Sequence, residues 1–322
     1  YIRSFILGRF YIPIPCKTLF EVLFTSDPLI AHLPCPTILI LVLLARIFRP
    51  KRFICIYWHS FIDVRFDLKG YLEFCYQFIA LKTVKIFPVI VTSPILARAL
   101  ISRGFQPKNM NIIPCCIPSE IEYLYDQINL NRNARLALKG VVIVICRLDS
   151  YKRVDWLIKA FANTQAAKKL IILGDGPDRK DLELLVKDVI RFDQKVDFYG
   201  LVEETCKRSF LAESDLLVLP SDRSNEAFGI VQLEAMASGI PSLAYDFENS
   251  GMHWVSQLPS LDWSGRPNDL SDVIQKLFTN KVLYYQACRE ARERYENDFS
   301  IPIWKKRLNL FLKDYPMVNH IR

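Results

Sequence analysis

The 322-residue chain has no C-x-x-C pair, no Walker loop of the form G-x-x-x-x-G-K-[ST], no internal repeat and no low-complexity tract. It has only four histidines, none spaced with the nine cysteines as zinc ligands are, so no metal centre is expected. The odd, scattered cysteine count, with Cys115 and Cys116 adjacent, argues for reduced thiols in a cytoplasmic compartment rather than a disulfide framework. No secretory leader is recognisable, and the chain opens on Tyr1 rather than Met, so residues ahead of it are expected. The strongest apolar run, PTILILVLLA at 36–45, is too short to span a bilayer. It ends in RIFRPKR and reads first as a core helix, second as a basic and apolar edge for an anionic membrane surface. Interleaved basic and aromatic motifs of nucleic-acid modules are also missing. The net charge of +8 therefore points to phosphates, nucleotides or an acidic membrane face before nucleic acid.

What is present is a globular composition, 51% hydrophobic and 24% charged, in a chain long enough for two domains. From about residue 137, short β-branched runs alternate with amphipathic stretches. GVVIVICRL (140–148), KLIILGDGP (169–177), KVDFYG (195–200), DLLVLPS (215–221) and IPSLAYD (240–246) read as strands. DWLIKAFANT (155–164), DRKDLELLVKDVI (178–190), CKRSFLAES (206–214) and FGIVQLEAMASG (228–239) read as helices between them. The first half shows the same beat, with strands at 52–60 and 87–93, helices at 36–48 and 94–104, and a strand leaving the sheet at 109–118. The polar segment 119–138 reads as the linker, and 296–322 as a separate amphipathic helix started by Pro302. The alternation predicts an α/β protein of two doubly wound, Rossmann-like domains, with ligands at the carboxyl ends of the strands.

Three features at those strand ends carry chemistry. Arg147 and Lys152, five apart in CRLDSYK, suit a diphosphate, one as a fork and one as a point charge, although two solvated cations would look the same. The turn GDGPD, with Gly174, lacks the G-x-G-x-x-G spacing of a dinucleotide fold and reads first as a tight turn beside the same cleft. The stretch SNEAFGIVQLEAMASG (224–239) sets Glu226 and Glu234 eight apart. At about 100° per residue, Ile230, Val231, Leu233, Ala235, Met236 and Ala237 cover most of the helix around Glu234. A carboxylate in such a place needs a donor, either a structural cation or a ligand hydroxyl. Between the two glutamates, the backbone amides of Phe228, Gly229 and Ile230 offer an anion site at a helix N-terminus. In the first half, His59 in IYWHSF and His32 in SDPLIAHLPCP stand at strand ends, where a lone histidine is more often structural.

These segments together resemble the nucleotide-sugar-binding domain of the retaining glycosyltransferases of family 4, the group 1 glycosyltransferases. Glu226 to Glu234 resembles that family's E-x7-E pattern, YWHSF its HWHSD segment, and NIIPCCIP its VIPNGID, with Cys115-Cys116 in place of Asn-Gly. The resemblance covers about 27–312 and is strongest over 140–245. It implies the GT-B fold: an acceptor-side domain at 1–130, incomplete, a donor-binding domain at 131–300, and a last helix at 301–322 crossing back to the first domain. It implies that Arg147 and Lys152 hold the donor diphosphate, that Glu226 binds sugar hydroxyls, and that Glu234 binds the ribose. The amides of Phe228 and Gly229 would meet the phosphates, His59 would help position the sugar, and the backbone of Tyr199–Val202 would border the base.

The catalytic set implied is Glu226, His59, Arg147 and Lys152. No D-x-D triplet occurs, so transfer without a metal or other cofactor is expected. The function implied is transfer of a hexose, mannose being one candidate, to a polysaccharide or lipid-linked acceptor in surface-glycan assembly. The alternative is an impaired family member that binds nucleotide or a partner enzyme. The expected place is the cytoplasm, with peripheral contact to the inner face of the cell membrane. The family's first strand and Gly-rich acceptor-side loop are not visible in 1–26. The segment FENSGMHWVSQ (247–257) is similar to a sub-branch reading SGVPWVN, without the His-Gly-x-x-Gly that usually follows.

Overall fold

A computed structural model describes residues 4–7, 10–13, 17–62, 67–135, 138–224, 226–263 and 266–315. The stretch searched for the acceptor-side loop, 1–26, lies partly outside them. The chain divides into two compact units, Tyr1–Pro114 with Lys305–Arg322, and Cys115–Trp304.

The first unit opens with strands β1 (Ser4–Leu7) and β2 (Phe10–Pro13), an antiparallel pair, and helix α1 (Lys17–Phe24). Then follow β3 (Leu29–Leu33), α2 (Pro36–Phe48), β4 (Ile54–Trp58), α3 (Leu68–Thr83), β5 (Val89–Val91), α4 (Pro94–Ile101) and β6 (Met110–Ile112). Strands β3-β4-β5-β6 form a parallel sheet in that order. Their β-branched residues fill a core with Leu39, Val42 and Ala45 of α2 and Leu96 and Leu100 of α4. Pro36 and Pro94 occupy the first turns of α2 and α4, where proline's missing N–H has no intrahelical partner to lose. Ser93 caps α4 by accepting from the Leu96 amide at 3.2 Å. The run at 36–45 is thus part of a core helix. Among the described residues, no helix is long and apolar enough to cross a membrane.

The second unit begins with α5 (Ser119–Arg135) and alternates β7 (Val141–Ile145), α6 (Val154–Ala162), β8 (Lys169–Leu173), α7 (Arg179–Val189), β9 (Lys195–Gly200), α8 (Glu204–Glu213), β10 (Leu216–Leu219), α9 (Ile230–Ala237) and β11 (Ser242–Ala244). Helices α10 (Met252–Ser256), α11 (Leu270–Thr279), α12 (Lys281–Arg294) and α13 (Ile301–Lys313) complete the chain. The five strands run parallel in the order β11-β10-β7-β8-β9. Strand β7, the first in sequence, lies in the middle, so successive connections wind to opposite sides of it, as doubly wound sheets do.

One sequence expectation is corrected. Residues 119–135 of the expected linker are helix α5, which packs within the second unit. Its sparse apolar residues Ile121, Tyr125 and Ile128 recur at helical spacing and join the core of that unit, so a polar average conceals one buried stripe.

Candidate active site

Because the second sheet is parallel, the loops after β7, β8, β9 and β10 all leave one edge. Arg147 follows β7, Gly174 ends β8, Tyr199 to Val202 end β9, and Glu226 to Ile230 follow β10.

The glycine turn is a packing device. A Cβ on Gly174 would stand 1.9 Å from the Cys146 carbonyl oxygen, and one on Gly176 would stand 2.3 Å from that of Leu148. Gly174 also has φ +127, open to glycine and strained for other residues. The turn lies flat against the backbone that carries Arg147, tied to it by Leu148 N–H to Asp175 O at 3.0 Å and Asp178 N–H to Leu148 O at 3.1 Å. Arg147 is exposed, and its Nε meets Asp149 at 3.1 Å.

Lys152 behaves differently from Arg147. It closes a short 3-10 turn, is only 7% exposed, and its Nζ is paired with a Glu226 carboxylate oxygen. Burial pushes the Lys152 ammonium below its ordinary pKa, with Cys146 and Asp149 acting the other way. The two loops are joined again by Asp222 N–H to Tyr151 O at 2.9 Å. The Glu226 loop is braced from 250–252: Ser250 Oγ donates to the Glu226 carbonyl at 2.7 Å, and the Gly251 amide to the Ala227 carbonyl at 2.9 Å.

Gly229 is the N-cap of α9 with φ 72, where an added Cβ would meet Leu219 Cδ1 at 2.9 Å and Gln232 Nε2 at 3.0 Å. Gln232 is fully buried and donates to the carbonyls of Phe228 (2.9 Å) and Met252 (3.2 Å), so it fixes the entry into α9. The Phe228 ring anchors the same entry, edge-on to Phe299 at 6.0 Å. The first amides of α9 carry the positive end of its dipole and have no intrahelical acceptor. Ile230 departs from expectation: as the first residue of α9 its side chain is 47% exposed, although the rest of the helix from Gln232 is buried.

Glu234 is 6% exposed, as its apolar surroundings imply. Its Oε1 accepts from Lys207 Nζ at 2.8 Å, and its Oε2 is buried with no hydrogen-bond partner. Burial raises the Glu234 pKa, outweighing the pull of Lys207 in the other direction. For Lys207, burial alone would lower the pKa, but Glu234 and Glu204 outweigh it and hold the ammonium above its ordinary value. Tyr199 is half-exposed, its ring 4.2 Å from that of Phe210, and Val202 leads into α8, which carries Lys207.

In the first unit, His59 follows β4 and His32 lies in β3. Their rings stack at 5.0 Å with His32 Nδ1 2.7 Å from His59 Nε2, and Tyr57 stacks on His59 at 4.4 Å. Burial first, then His32, pushes the His59 pKa down to about 4, and burial lowers that of His32. His59 is therefore a neutral imidazole near pH 7.

The structure thus joins Lys152 to Glu226 and sets both on the same sheet edge as Gly174 and Gly229, with Glu234 one turn into α9 beside Lys207, while Arg147 stands apart from Lys152 in an ion pair of its own. Lys207, Gln232 and Ser250 were missed from the sequence. Only Lys207 left a signal, the buried glutamate's need for a donor.

Residues 139–280 match the family model of the glycosyl transferases group 1. Over 105 residues the chain is 37% identical to N-acetyl-alpha-D-glucosaminyl L-malate synthase of Bacillus anthracis, covering 32% of this chain and 26% of that protein. A GDP-mannose-dependent phosphatidylinositol monomannoside mannosyltransferase of Corynebacterium glutamicum is 29% identical over 185 residues, 54% of this chain and 48% of the relative. The aligned parts span between 19% and 48% of the curated relatives' length. Among solved structures, Anabaena HepE in complex with UDP superposes with a TM-score of 0.71 at 18% identity, covering 92% of this chain and 81% of that one. Sucrose-phosphate synthase of Thermosynechococcus elongatus gives 0.70 at 21% identity, with 95% and 81% covered. The chain therefore has the GT-B fold, two Rossmann-like domains with parallel sheets.

Proposed function

We propose that the protein is a retaining family 4 glycosyltransferase that moves a hexose from a nucleoside-diphosphate sugar to a polysaccharide or lipid-linked acceptor in surface-glycan assembly, with mannose as the first sugar to test. One observation carries the reading: the Lys152–Glu226 pair stands before the α9 N-terminus, and the open oxygen of buried Glu234 lies one turn into the same helix. Cation, helix amides and carboxylates in that order match diphosphate, sugar and ribose. The Lys152 ammonium and the α9 amides oppose the charge that grows on the departing diphosphate as the sugar takes on oxocarbenium character. Arg147 swings from Asp149 to the same diphosphate. Glu226 holds sugar hydroxyls and Glu234 the ribose. The bond from the anomeric carbon to the diphosphate oxygen breaks, the bond to the acceptor oxygen forms on the same face, and the acceptor proton passes to the leaving phosphate. The residues named need no metal for this.

The acceptor chemistry and the place of action belong to the same proposal: cytoplasmic, with the first unit resting on the inner membrane face. The exposed Phe24–Phe48 ring pair (4.8 Å) beside Arg49 and Lys51 supports that contact. A thermal-shift screen with UDP, GDP, ADP and their sugars, followed by transfer to glycan and lipid-linked acceptors, tests the whole. We expect one base to raise the melting temperature and its sugar to be consumed. No stabilisation by any nucleoside diphosphate would overturn it.

A further inference from the structure

The geometry assigns Lys207 as a positioning residue that divides the Glu234 carboxylate, holding Oε1 so that Oε2 alone is left for a ribose hydroxyl. The assignment deepens the proposed function and rests on it. Three elements converge on the pair. Lys207 and Glu204 stand one helical turn apart on α8, and the Lys207 Nζ bridges Glu204 Oε2 at 2.7 Å and Glu234 Oε1 at 2.8 Å. The other Glu204 oxygen, Oε1, accepts from the fully buried Tyr125 hydroxyl of α5 at 2.5 Å and lies 3.7 Å from Arg208. Lys207 is thus pinned between two carboxylates, and one of those is itself pinned from a third helix. An ammonium held at both ends cannot swing to take the second oxygen of Glu234.

That second oxygen is the unusual atom. A buried carboxylate oxygen without a donor is costly, and native interiors rarely keep one without a use. A lysine free to rotate would relieve it, and a fork-shaped arginine would cover both oxygens at once. The chain instead supplies a point charge and fixes it on one side. Lys207 also works against the rise in the Glu234 pKa that burial causes, which favours the ionised carboxylate that accepts from a ribose hydroxyl.

The test compares a nucleoside diphosphate with its 2′-deoxy and 3′-deoxy forms, by calorimetry on the whole chain, using whichever of UDP, GDP or ADP binds most tightly. Wild type should prefer the ribo form by about tenfold over at least one deoxy form, the scale of a hydrogen bond to a buried charge. Lys207→Met should bring that ratio close to one while the deoxy ligand binds within about twofold of wild type. Glu204→Gln, at a partly exposed site that endangers folding less, should lower the ratio part of the way by loosening Lys207. A merely structural Lys207 would weaken ribo and deoxy forms alike, or leave both unchanged. An unchanged ratio in both variants overturns the assignment and leaves the function standing. Tight binding by wild type with no preference between ribo and deoxy forms overturns the ribose role of Glu234 and this assignment with it. No binding of any nucleoside diphosphate overturns the function itself.

Discussion

Lys152 and Glu226 lie 74 positions apart in sequence and form one partly buried ion pair, the ammonium from the turn after β7 and the carboxylate from the loop after β10. The pair joins two strand ends that are neighbours in the sheet. It also means that each residue's charge sets the state of the other, so neither can be altered alone without effect on its partner.

Glu226→Gln keeps the shape and removes the charge. We expect turnover to fall by about two orders of magnitude, and the melting temperature to fall with it, because the change leaves the buried Lys152 ammonium without its carboxylate. Steady-state kinetics beside a thermal melt checks this. Wild-type turnover would remove Glu226 from the reaction.

Arg147→Ala tests the diphosphate clamp. The Arg147–Asp149 pair is exposed and worth roughly 0–1 kcal/mol, so stability should barely move. Nucleoside-diphosphate affinity should weaken by about tenfold, the loss of one charge-assisted hydrogen bond. An unchanged dissociation constant by calorimetry would leave Arg147 as a surface cation.

His59 makes stability depend on pH. Its folded pKa of about 4 lies below its ordinary 6.5, so between those values the unfolded chain binds a proton that the native one does not. Stability contributed by neutral His59 is present above pH 6.5 and is lost as the pH falls toward 4. His32, also shifted downward, adds in the same direction. Urea titrations between pH 4 and 7 should show a shallower slope for His59→Gln than for wild type. Equal slopes would mean that His59 titrates normally.

Gly174→Ala places a methyl against the Cys146 carbonyl at a backbone angle that only glycine takes easily. We expect about 3 kcal/mol of lost stability, with weaker nucleotide binding because the Arg147 turn must shift. Chemical denaturation gives the first quantity and calorimetry the second.

The strands of the second unit, and β4 and β5 of the first, could be read in advance because they are mostly short apolar runs between turn residues, and buried parallel strands show little polar face to confuse the pattern, whereas β1 and β2 were not read. The burial of Glu234 was legible for the same reason, since its helix is apolar almost all round. Helix α3 was not read, because Leu68, Tyr71, Leu72, Phe78 and Ile79 are exposed and apolar, so no single face stands out. Helix α5 failed in the opposite sense, its polar average hiding Tyr125. Lys207, Gln232 and Ser250 could be placed only by tertiary contact. Each acts on backbone or carboxylate distant in sequence, and nothing local distinguishes them from ordinary polar residues.

The second unit is one continuous segment, Cys115–Trp304, set within a first unit made of two pieces. The later piece brings Phe311, 2% exposed, and Tyr315 against Phe53, at ring separations of 6.5 and 4.8 Å. During synthesis, therefore, the unit begun first is completed last. The aromatic packing on Phe53 waits for residues that leave the ribosome only after the whole second unit has been made, reversing the usual order in which N-terminal domains finish first.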